Sequence, residues 1–179
     1  MEIYLIRHTS VDVPQGVCYG QTDVPLKPSF EKEAEIVKQN IAEYSFNTVY
    51  TSPLSRCVKL ATYCGYPDAL CDNRLKEMHM GDWEMKAFDE INDPQLQEWY
   101  NDYLHIPTLN GESYQDLFAR VSSFMKDIKS SEKASGQSKI AIFAHGGVLL
   151  CAQIYAGVIT PENALQKLPS YGEIIRISI

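Results

Sequence analysis

The chain has 179 residues, 45% hydrophobic and 22% charged, with ten glycines and nine prolines. That is the make-up of a soluble globular protein of one domain, and it excludes collagen-like, coiled-coil and disordered chains. Sixteen lysines and arginines against 23 aspartates and glutamates leave a net charge of −7, the wrong sign for wrapping nucleic acid but compatible with a local basic pocket for a small anion.

Glu2 to Ile6 is a short β-type run that ends on the charged pair Arg7-His8. It is far shorter than the ~20 residues of a membrane span, and Glu2 is the wrong charge for the basic lead of a signal peptide. Phe30, Ala34, Val37 and Ile41 recur at helical spacing, so 29–43 reads as an amphipathic helix. Thr48 to Tyr50 is strand-like and leads into Ser52-Pro53, an N-cap followed by a proline in the first helical turn. Leu54, Cys57, Val58, Ala61 and Cys64 then form an apolar stripe that Gly65 ends. Residues 66–112 hold Pro67, Gly81, Pro94, Pro107 and Gly111 among many aromatics, and read as loops and short helices forming a cap or lid.

Ser113, with Asp116 three residues on, opens a helix whose face carries Tyr114, Leu117, Phe118, Val121, Met125 and Ile128. The polar residues 129–138 read as a surface turn and 139–144 as a strand. His145-Gly146-Gly147 enters an apolar helix reaching about Gly157, and 173–179 alternate as a last strand with one exposed face. Strands alternating with helices predict an α/β sandwich with a mostly parallel sheet, a single domain over 1–179. Cys18, Cys57, Cys64, Cys71 and Cys151 are odd in number and contain no CxxC pair, as expected of reduced thiols in a cytoplasmic protein.

In open α/β sheets, ligands bind at the carboxyl ends of the strands, where this sequence places Arg7-His8 and His145. Each candidate has a plain structural reading by itself. A histidine after a strand is commonly a hydrogen-bonded structural group, Arg56 a solvated arginine, and Glu77 one surface carboxylate among many. Together they supply what phosphoryl transfer needs, which is positioning and neutralisation of charge on the phosphoryl oxygens. Arginine forks take two oxygens at once, and the N–H groups after Ser52 and at Gly146 add donors. A histidine can act as nucleophile and a carboxylic acid can protonate the leaving oxygen. A metal set of His8, Glu77, His79 and His145 lacks any recognisable ligand spacing, so no metal or other cofactor is expected.

Four stretches carry a family resemblance: Leu5-Ile6-Arg7-His8-Thr9; Thr51-Ser52-Pro53-Leu54-Ser55-Arg56-Cys57; Arg74-Leu75-Lys76-Glu77-Met78 with Gly81-Asp82-Trp83-Glu84; and Ala144-His145-Gly146-Gly147-Val148. In this order they resemble the histidine phosphatase superfamily, whose fold is the three-layer α/β/α sandwich of phosphoglycerate mutase. The resemblance implies His8 as the nucleophile that becomes phosphohistidine. It implies Arg7, Arg56 and His145 as a clamp on the phosphoryl group, and Glu77 as proton donor to the leaving alcohol and then helper of the attacking water. Two positions depart from the family pattern, Thr9 and Met85 standing where glycine is usual. Neither is a proposed catalytic group.

The stretch Cys18-Tyr19-Gly20-Gln21-Thr22-Asp23-Val24-Pro25-Leu26 further resembles the α-ribazole phosphatase branch. That implies removal of the 5′-phosphate of α-ribazole phosphate during assembly of the cobalamin lower loop. Gln21 and Thr22 are then the expected polar contacts to phosphate or ribose, Gly146 a backbone donor, and Tyr19 one of the aromatics, with Trp83, Trp99, Tyr100, Tyr103 and His105, available to roof the pocket. Asp23 is expected to order its own turn. The competing functions are a broad-specificity sugar-phosphate or nucleotide phosphatase, a phosphoglycerate mutase, and a protein that binds a phospho-ligand without turnover.

Overall fold

The computed structural model describes residues 1–131 and 138–179. In chain order its elements are β1 (Glu2–Arg7), α1 (Phe30–Ile41), β2 (Thr48–Thr51), α2 (Ser55–Tyr63), β3 (Leu70–Cys71), α3 (Pro94–Asn101), α4 (Tyr114–Ser131), β4 (Lys139–Ala144), α5 (Gly146–Tyr155) and β5 (Ile174–Ser178), with short 3-10 turns between several of them. The strands form one sheet in the order β3-β2-β4-β1-β5. β1, β2, β3 and β4 run parallel, and β5 pairs antiparallel with β1 at the edge.

The period-2 geometry of the strands feeds two separate cores. Ile3 and Leu5 of β1 with Ile140 and Ile142 of β4 pack under Leu117, Val121, Phe124 and Met125 of α4 and Leu149 of α5. Ile6 of β1 with Ala141 and Phe143 of β4 point the other way, onto Ala34, Val37 and Ile41 of α1 and Cys57, Leu60 and Ala61 of α2. The expected three-layer sandwich is thus the observed one, with helices on both faces of the sheet.

The helix ends follow local chemistry. Ser113 and Asp116 close the expected capping box: Asp116 N donates to Ser113 Oγ at 3.2 Å, and Ser113 N donates to Asp116 Oδ2 at 2.9 Å, a device worth about 1 kcal/mol. Gly65, at φ +96°, stops α2 as expected. Other expectations need correction. Ser52 is not the N-cap of α2 and Pro53 is not in its first turn, because the chain stays extended to Leu54 and the helix starts at Ser55; a residue before proline is held out of the helical region. Within this segment Ser52 Oγ accepts the Leu54 N–H, at 3.3 Å, rather than an N–H of α2, and the cap comes from a distant loop. Asp23 Oδ1 accepts Ser55 N at 2.9 Å and Ser55 Oγ at 2.8 Å, so Asp23 opens α2 and does not simply order its own turn.

The helix α4 continues to Ser131, so the expected turn at 129–138 is helical at its start, and 132–137 lie outside the described residues. Within 66–112, read as loops and short helices, Pro94 opens the short helix α3 behind the Asp93 cap. The two-residue β3 and a 3-10 stretch at Pro161–Lys167 were not foreseen. Met85 sits at φ +62°, a left-handed conformation costing an unbranched L-residue on the order of 1 kcal/mol, which accounts for glycine being usual there.

Candidate active site

The parallel ladder carries its hydrogen bonds past the strand ends. His8 N donates to Ala144 O at 3.1 Å and Ser52 N donates to Phe143 O at 2.9 Å. The carboxyl ends of β1, β2 and β4 therefore bring His8, Ser52 and His145 side by side, with the His8 and His145 rings edge to face at 5.1 Å. His8 Nδ1 lies 2.8 Å from Thr9 O. A carbonyl only accepts, so Nδ1 carries the proton and Nε2 is left with its lone pair. No hydrogen-bond partner meets that Nε2 among the described residues.

Two guanidinium groups flank this ring. Arg56, fully buried, donates through Nε to His145 Nδ1 at 3.2 Å, through Nη1 to Thr22 O at 3.0 Å and through Nη2 to Gly20 O at 2.6 Å. Guanidinium has five N–H groups, so donors remain for a ligand. Because Arg56 donates to Nδ1 of His145, the proton of that ring sits on Nε2 and points at Ser52 Oγ, 2.8 Å away. Both ring nitrogens of His145 are thus engaged by the protein. Arg7 donates through Nη1 to Pro169 O, while its Nε is buried without a partner, an unspent donor beside His8 of the kind an oxyanion satisfies.

Burial and then the charge of Arg56, reinforced by Arg7, push His8 down to about 3 against the pull of its bond to Thr9 O. Burial and Arg56 likewise hold His145 well below the ordinary imidazole range. Both rings are neutral at pH 7. In the unfolded chain they take up protons near pH 6.5 while the folded chain does not, so their effect on stability is absent above that pH and grows as pH falls towards 3. Through His8 alone, folding stability is expected to drop by about 2 kcal/mol between pH 7.5 and 5, and His145 adds to the loss in the same direction, read by urea denaturation. His8→Asn is expected to remove the His8 share of that slope; a slope unaltered by the substitution would contradict this titration.

Glu77 arrives from the segment after the 3-10 turn Asn73–Leu75. Its Oε2 accepts Gly147 N at 3.1 Å and its Oε1 accepts Met78 N at 2.9 Å. A Cβ on Gly147 would lie 2.4 Å from Oε1, so only glycine admits the carboxyl against the start of α5. The backbone of Glu77 is held by Gln21 Nε2 at 3.1 Å and Arg120 Nη2 at 2.8 Å. Arg120 also bonds the carbonyls of Arg74 and Lys76 and both oxygens of Glu112.

The loop 20–22 is fixed by Glu84, whose carboxylate accepts the N–H groups of Gly20, Gln21, Thr22 and Met80 at 2.8 to 3.3 Å; these bonds hold it below the usual carboxylate range despite burial. The expected binding residues Gln21 and Thr22 are therefore tied into the frame, one steadying Glu77 and the other Arg56. Of the six aromatics expected at the pocket, Tyr19 is there, with its ring 5.7 Å from the Arg56 carbon. Trp83 instead packs edge-on against Trp99 and donates to Asp93, and Trp99 continues to Tyr100 and Tyr103, an aromatic cluster internal to 83–103. His105 pairs with Asp102 at the surface. Tyr171, which sequence reasoning passed over, lies 5.5 Å from the His8 ring. Among the described residues, no three His, Cys, Asp or Glu side chains are grouped to hold a metal, no cysteine is bridged, and no helix is long and apolar enough to cross a membrane.

This arrangement of a neutral, oriented imidazole between two guanidinium groups, with a carboxyl nearby, is set up for phosphoryl transfer, and the sequence agrees with it. The profile of the histidine phosphatase superfamily (branch 1) matches residues 3–178, and the chain belongs to that family of phosphatases and mutases. It is similar to the adenosylcobalamin/alpha-ribazole phosphatase of Escherichia coli K12, at 27% identity over 83% of this chain and 75% of that one. A phosphoglycerate mutase-like protein 4 of Arabidopsis thaliana is 28% identical over 83% of this chain and 67% of its own length. Among solved structures, the alpha-ribazole phosphatase of Shigella flexneri superposes with a TM-score of 0.88 at 25% identity, covering 100% of this chain and 91% of that one.

Proposed function

We propose that the chain hydrolyses phosphomonoesters through a phosphohistidine at His8. The observation that carries this is the His8 ring itself: neutral, its Nδ1–H tied to Thr9 O, its Nε2 unengaged, with Arg7 and Arg56 on either side. Nε2 attacks phosphorus while the ester P–O bond breaks, and the leaving alkoxide takes the proton of the Glu77 carboxyl. Arg7 and Arg56 carry the charge of the equatorial oxygens, with His145 backing Arg56 through the bond to its Nε. The phosphorylated ring keeps its Nδ1–H on Thr9 O. Water, deprotonated by Glu77, then breaks the P–N bond and returns neutral His8, inorganic phosphate and a protonated Glu77.

For the substrate we favour α-ribazole 5′-phosphate. The stretch 18–26 that resembles the α-ribazole phosphatase branch forms the loop that grips Arg56, and relatives bearing that activity in their names match nearly the whole chain. Phosphate release from α-ribazole 5′-phosphate is expected to exceed that from 3-phosphoglycerate, fructose phosphates and common 5′-nucleotides by about a hundredfold in kcat/KM, roughly 2.7 kcal/mol of transition-state discrimination. Comparable rates on all of them would leave the chemistry standing and remove the named substrate. Transfer of phosphate between the hydroxyls of phosphoglycerate, without release, would mark the chain as a mutase.

A further inference from the structure

Tyr171 stands on the turn that enters β5. Gly172 N donates to His8 O at 3.1 Å and Glu173 N to Ser170 O at 3.1 Å, while Ser170 N donates to Glu173 Oε2 at 2.6 Å. The turn is therefore fastened to the strand end that carries the proposed nucleophile. The Arg7 guanidinium carbon lies 4.2 Å from the centre of the Tyr171 ring. The Tyr171 hydroxyl meets the hydroxyl of Tyr19, from the loop that grips Arg56, at 2.8 Å. Each guanidinium thus has a tyrosine ring against it, and the two rings are linked across the entrance. One face of Tyr171 is taken by Arg7, yet the residue remains 41% exposed, and Leu168, three positions earlier in the chain, 51%. Leu168 also belongs to this rim, since a Cβ on Gly146 would lie 2.7 Å from its Cδ1.

Charge is therefore buried at the floor of the site, and uncovered apolar and aromatic surface lies beyond it. With a phosphoryl group at the arginines, whatever is esterified to it must lie along that surface. A small acyclic alcohol covers little of it, whereas a sugar or heterocyclic ring buries a large part and can pack on the aromatic face. We infer that Tyr171 is a specificity-determining residue whose ring, paired with Tyr19, grips a ring-bearing leaving group and so favours ribosyl or larger cyclic phosphomonoesters over small acyclic ones. This rests on the phosphatase reading above for its reaction, though not for its binding.

The test compares α-ribazole 5′-phosphate with phosphoserine as the acyclic ester. In Tyr171→Ala the ratio of their kcat/KM values is expected to fall tenfold or more, and in Tyr171→Phe, which keeps the ring, less than threefold. The same ratio is read as binding affinity by calorimetry in a His8→Ala background, with and without Tyr171→Ala. A parallel loss on both esters that leaves the ratio unchanged would overturn the inference and make Tyr171 a mere support for Arg7. Absence of phosphate release by the wild-type chain would overturn only the hydrolase reading, because the binding ratio still decides the role of Tyr171.

Discussion

His8→Ala is expected to lower kcat by about 10⁴-fold or more on every phosphomonoester, the scale on which loss of a covalent nucleophile is felt. The reason lies in how little else in the site can attack. His145 has both ring nitrogens engaged, and burial raises the Cys57 thiol well above its ordinary range, keeping it protonated. Rapid acid-free quenching of wild-type enzyme with labelled substrate is expected to trap a base-stable, acid-labile phosphoenzyme that is missing from the alanine variant. Circular dichroism of that variant should retain the native spectrum, since the strands pair through backbone groups that the substitution leaves alone. A variant that folds and keeps activity within tenfold of wild type would remove His8 from the mechanism.

The second large effect depends on the leaving group. Glu77→Gln keeps a carbonyl oxygen for one of the two N–H groups that the carboxyl accepts, those of Gly147 and Met78, and has no proton to give a departing alkoxide. On alkyl phosphates the loss in kcat is expected to reach about 10²–10³-fold, within the usual range for a general acid. On p-nitrophenyl phosphate, whose phenolate departs without protonation, the loss in the first step should be at least tenfold smaller. Parallel losses on both substrates would assign Glu77 another task, such as holding the start of α5.

Much of this site was legible because its residues stand at places that local rules mark. The apolar runs of β1 and β4 end abruptly, and the residues at those ends fall at the carboxyl edge of a parallel sheet, so pattern placed His8 and His145 together there, while the roles expected of them came from the family resemblance. Ser113-Asp116 gave the start of α4 to the residue. What escaped notice is made of long-range contacts without periodicity. Arg120 sits on α4 amid an ordinary amphipathic pattern, and nothing local tells that it reaches back to the carbonyls of Arg74, Lys76 and Glu77. Asp23 caps a helix 32 positions on. The loop 20–22 was expected to meet the ligand because it lies in the stretch 18–26 that resembles the α-ribazole phosphatase branch, but Glu84 and Arg56 claim its backbone. Tyr171 lies in a turn, where one aromatic carries no signal, and reaches the site only because β5 folds back antiparallel along β1. The strand β3 is two residues long, too short for alternation to register.

The strand order has a consequence for how the molecule comes into being. β1, which ends next to His8, is made well before its neighbours β4 and β5, which set Glu2 opposite Lys139 on one side and Ser178 on the other. During synthesis β1 must wait, unpaired and apolar, until residues 139–178 have emerged, and closing so large a loop delays the productive pairing. The candidate active site is thus among the last features to form, and a nascent chain ending before β4 holds His8 at the end of a strand with no sheet to join.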